Sequence, residues 1–65
     1  MIPPSKLHTA RKLAKQKELT LYQKRYLIRL FILACTGQEK TVTGDEDDLG
    51  FNEIFETAKE HFLKN

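Results

Sequence analysis

Sixty-five residues allow one domain at most, and a chain of this size buries only about 60% of the surface that its unfolded form exposes. A single cysteine excludes an internal disulfide, and one cysteine with two histidines falls short of a four-ligand zinc site, so a partner chain is the aid left to a marginal core. The formal charge of +2 conceals a division: residues 1–40 hold nine Lys and Arg against two acids, a net +7, whereas residues 41–65 hold seven acids against two lysines, a net −5.

Such a split points to an anionic partner for one half, to pairing of the two halves, or to both. The first apolar run begins only at Tyr26, too late for a secretory signal. Residues 26–35 include Arg29 and are far shorter than a bilayer span. The start of the chain is basic and acid-free like a mitochondrial presequence, but lysine outnumbers arginine there and serine is scarce. A cytoplasmic protein without a membrane partner is expected.

The first helix is predicted over residues 6–18, with Pro3 and Pro4 holding the start extended and Ser5 as N-cap. At 100° per residue Leu7, Ala10, Leu13 and Ala14 share an arc. His8, Arg11, Lys12 and Lys15 follow the i, i+3, i+4, i+7 rule on the opposite side. Together with Arg25 and Arg29 they are the candidate contacts to nucleic acid or another anion: lysines attract phosphate irrespective of sequence, and arginine adds forked hydrogen bonds. Residues 10–21, with a basic helix running into Leu19-Thr20, resemble the opening of repressor-type helix-turn-helix domains. The resemblance stops there, because residues 26–35 continue as one apolar run where those domains have a short helix, a turn and a recognition helix, and no DNA-reading residue is carried over.

The second helix is expected over 20–36. Thr20 and Gln23 have capping-box spacing, and Gly37 is a natural stop. Its second half is apolar nearly all round. Leu27, Leu30 and Ala34 are expected to face the chain's own core, and Ile28, Phe31, Ile32 and Cys35 to form a protein interface on another side, since a bare face of that size exceeds what monomers usually tolerate. Cys35 itself reads as a buried, reduced thiol.

Residues 38–49 form an acidic loop, long for a compact domain. Asp45, Asp47, Gly50, Glu53 and Glu56 fall at positions 1, 3, 6, 9 and 12 of a calcium-binding EF-hand loop. Leu49 stands where an oxygen ligand is needed and Asn52 where an apolar residue is usual, so the acids read as helix caps and no metal site is assigned. The third helix, over 50–64, has Phe51, Ile54, Phe55, Ala58 and Phe62 on one face and an acidic face of Glu53, Glu56 and Glu60 on the other.

The expectation is an all-α, single three-helix domain with an apolar central helix, completed by dimerisation or a partner. His8 and His61 have no nucleophile at a diagnostic spacing, and no glycine-rich phosphate loop exists, so no enzyme and no cofactor are expected. The function favoured at this point is a small regulatory adaptor or inhibitor acting by protein–protein contact, on another protein or as a homo-oligomer. The alternative is an accessory DNA- or RNA-binding protein.

Overall fold

The structure, a computed structural model, describes residues 3–38 and 49–64. Its elements are α1 (Pro4–Lys15), α2 (Leu21–Thr36) and α3 (Leu49–Lys64), and each pair of helices is in contact. No strand occurs among the described residues. The run 39–48, which holds nearly all of the expected acidic loop, lies outside them. No helix among the described residues is long and apolar enough to cross a membrane.

α1 begins two residues before the expected start. Pro3 is its N-cap, in extended backbone at φ −58° and ψ 147°, and Pro4 is the first helical residue. A proline there loses nothing, since its missing N–H would have had no partner and its fixed φ suits the helix. Ser5 is therefore inside the helix and caps nothing, and the Leu7 N–H donates to the Pro3 carbonyl at 3.0 Å. The helix also ends three residues early. Gln16 is extended, with its N–H donating to the Leu13 carbonyl at 3.0 Å. A helix to residue 18 followed by another from 20 would leave no chain to change direction. Residues 16–20 supply that turn.

α2 has the expected ends. The Gln23 N–H donates to Thr20 Oγ1 at 3.2 Å and the Thr20 N–H to Gln23 Oε1 at 2.9 Å, so two backbone donors of the first turn are satisfied reciprocally. Gly37 closes the helix in the left-handed region at φ 74°, its N–H donating to the Leu33 carbonyl at 2.7 Å.

The core draws on all three helices: Ala10, Leu13 and Ala14 from α1; Leu27, Ile28 and Leu30 from α2; Phe51, Phe55, Ala58 and Phe62 from α3. Small residues on α1 let its backbone approach closely, and the phenylalanines of α3 fill the space between. Contacts between α2 and α3 advance in the same sense along both. Lys24 Nζ lies 5.3 Å from the Phe55 ring centroid, and the Phe31 ring lies 5.2 Å from that of His61. An antiparallel hairpin cannot give that order.

This packing corrects the division of α2 into a core side and an interface side. Ile28, expected at an interface, is fully enclosed in the core. Ala34, expected in the core, is exposed, and so is Cys35, expected buried. α1 and α3 cover α2 from two sides, so burial varies with height along the helix more than with direction around it. Leu27, Ile28 and Leu30 lie where all three helices overlap, whereas residues 34–36 project beyond that overlap.

Candidate functional site

Because Leu7, Ala10, Leu13 and Ala14 turn inward, helical periodicity turns His8, Lys12 and Lys15 outward, and these three are exposed. Arg11, nearer the edge of the buried face, is half-buried. The four side chains line one shallow depression of about 480 Å³. No carboxylate is among its described lining residues. Arg11 Nε is buried and has no hydrogen-bond partner.

Arg25 and Arg29 do not line this depression. They lie half-buried on the outer strip of α2, so the six candidate cations form two groups on two helices. Exposed Tyr22, three residues before Arg25, shares that strip. Its exposure went unnoticed in the sequence, although helical spacing places it with the arginines.

A second depression, of about 390 Å³, is lined by Lys17, Glu18, Leu19 and Lys24 from one side and Phe55, Glu56 and Lys59 from α3. Lys24 Nζ and Lys59 Nζ stand 5.3 and 5.9 Å from the Phe55 ring centroid. These ammonium groups lie beside Glu18 and Glu56, so the site carries both signs of charge and much of its field is compensated internally. The α1 depression concentrates one sign.

No family model, curated protein or solved structure matches the chain. The residues themselves therefore carry the functional argument.

Of the expected protein interface, Phe31 and Ile32 are half-buried and packed on the core, Cys35 is exposed, and Ile28 is excluded by its enclosure. Among the described residues the exposed large apolar side chains are Tyr22 near the start of α2 and Leu63, 49% exposed, near the end of α3. His61 sits edge-on between the rings of Phe31 and Phe62, at 5.2 and 5.0 Å between centroids, an arrangement that serves packing. Glu53, Glu56 and Glu60 are all exposed on α3. Since α3 is helical from Leu49, Gly50 cannot act as the turn of a calcium loop, and Glu53 and Glu56 stand on continuous helix. Asp45 and Asp47 lie outside the described residues, among which no cluster of His, Cys, Asp and Glu suits a metal ion.

Proposed function

We propose that this chain is a small, non-enzymatic nucleic-acid-binding protein that docks on the phosphate backbone through the basic face of α1. The observation that carries the reading is the α1 depression, where His8, Arg11, Lys12 and Lys15 converge with no carboxylate among the described lining residues. Protein docking led on sequence because an apolar surplus on α2 required a cover. Enclosure of Ile28 and partial burial of Phe31 and Ile32 reduce that requirement, while His8, Lys12 and Lys15 of the cationic face stay exposed and Arg11 is half-buried.

Lysine-rich faces bind by releasing counterions, at about −0.9 in the log–log salt slope for each duplex phosphate neutralised. Three or four contacts give a slope of about −3 on duplex DNA, and Lys12→Ala with Lys15→Ala flattens it by about 2. Absence of binding even at low salt, or an unchanged slope in the double variant, overturns the proposal.

A second reading, a regulatory adaptor or inhibitor that meets another protein or a second copy of itself, draws support from the exposed apolar end of the molecule. There Ala34, Cys35 and Leu63 are exposed and Ile32 is half-buried.

A further inference from the structure

The four side chains of the α1 depression are not spread evenly along the helix. Arg11, Lys12 and Lys15 occupy its last turn and a half, whereas His8 lies about one turn nearer the start, roughly 6 Å along the axis from Lys12. His8 is exposed, and no residue of α2 or α3 is among the described residues that line the depression. The described groups that share it with the imidazole are therefore the three cations of α1. They also differ from it in kind. Lysine and arginine keep their charge through the whole physiological range, but histidine is the side chain whose ordinary titration falls between about pH 5 and 8. The depression holds three fixed charges and one that depends on a proton.

We infer that His8 is a proton-dependent phosphate contact, which lengthens the cationic face of α1 by one turn in mild acid and withdraws that turn in mild alkali. The inference deepens the function proposed above and rests on it: Arg11, Lys12 and Lys15 hold the backbone at any pH, and His8 sets how tightly. A neutral imidazole offers a phosphate one N–H donor and releases no counterion, whereas imidazolium offers two donors and a full charge. Proton and phosphate then favour each other, so binding takes up a proton and acid strengthens binding by the same factor. No carboxylate among the described lining residues competes with the phosphate for that charge. The other histidine, His61, lines neither depression and packs edge-on between Phe31 and Phe62.

The test is a salt titration of the full chain on duplex DNA at about pH 5.5 and about pH 8, an interval in which lysine and arginine stay protonated and ordinary carboxylates stay mostly ionised. One added contact makes the log–log slope more negative by about 0.9 in acid, which amounts to about eightfold tighter binding over the decade from about 1 M to about 0.1 M salt. His8→Gln is expected to hold the alkaline slope at both pH values. His8→Arg is expected to hold the acidic slope at both, with circular dichroism verifying the helices of each variant. A parent slope that is the same at both pH values, a pH dependence that survives His8→Gln, or a His8→Arg slope that stays at the alkaline value overturns the proton-dependent contact while leaving the α1 reading intact. Absence of binding at either pH, even at low salt, removes both.

Discussion

Ile28 has no exposed surface, and its side chain stands where all three helices meet. Truncation there removes apolar contacts on two sides at once and leaves a cavity that neither neighbour can close alone. Ile28→Ala is expected to lower stability by about 2–5 kcal/mol, and small domains have little more than that in total. Urea denaturation should find the variant largely unfolded before denaturant is added. Cys35 is the contrasting case about two turns away: exposed, and without a part in the core cluster. Cys35→Ser should stay within about 0.5 kcal/mol of the parent. A midpoint for Ile28→Ala close to that of Cys35→Ser would contradict the packing of α2 between α1 and α3.

The three helices differ in how their ends are held. α2 has a reciprocal cap at Thr20 and a left-handed glycine at its close, whereas α1 starts on a proline with no side-chain cap. Thr20→Ala is expected to lower stability by about 1 kcal/mol, and Ser5→Ala to have little effect because Ser5 lies within the first turn and caps nothing. Thermal melts of the two variants separate the cap at Thr20 from the one that serine's propensity suggests at residue 5. Both ends of α2 and the buried face of α3 were legible in the sequence because capping spacing and 3.6-residue periodicity are local signals. The start of α1 was obscured by two adjacent helix-start signals, Pro4 and Ser5, of which only one could act. The cover over Ile28 and the exposure of Ala34 were not legible, because periodicity reports direction around a helix but not how far the neighbouring helices extend along it. Among the candidate cations, periodicity grouped those of α1 correctly, but the separation of Arg25 and Arg29 from them depends on the placement of α2 against α1.

At the scale of the molecule, α1 and α2 hold the positive charge and α3 carries three exposed glutamates. Ala34, Cys35 and Leu63 are exposed near the C-terminal ends of α2 and α3, and the proposed adaptor reading implies that a second copy could meet the chain there. If copies associate there, sedimentation at tens of micromolar (about 10–100 μM, the range in which weak contacts of about 5.5–7 kcal/mol populate a dimer) shows a mass above that of the monomer. Ile32→Glu then lowers it by placing an unpaired charge in a desolvated contact. A monomer mass for the parent chain at every concentration excludes self-association.

The parallel sense of α2 and α3 also orders events in time. Five residues join α1 to α2, but the pairs Lys24–Phe55 and Phe31–His61 link positions about thirty residues apart. The connectors themselves are five residues (16–20) and twelve residues (37–48), and closing the longer is less favourable by about 0.8 kcal/mol. The two cationic helices can therefore meet early, through a short turn, while the far side of Ile28 is still open to water. The shorter connector favours early contact of α1 with α2, and the α3 phenylalanines then complete the core that this pair alone leaves open.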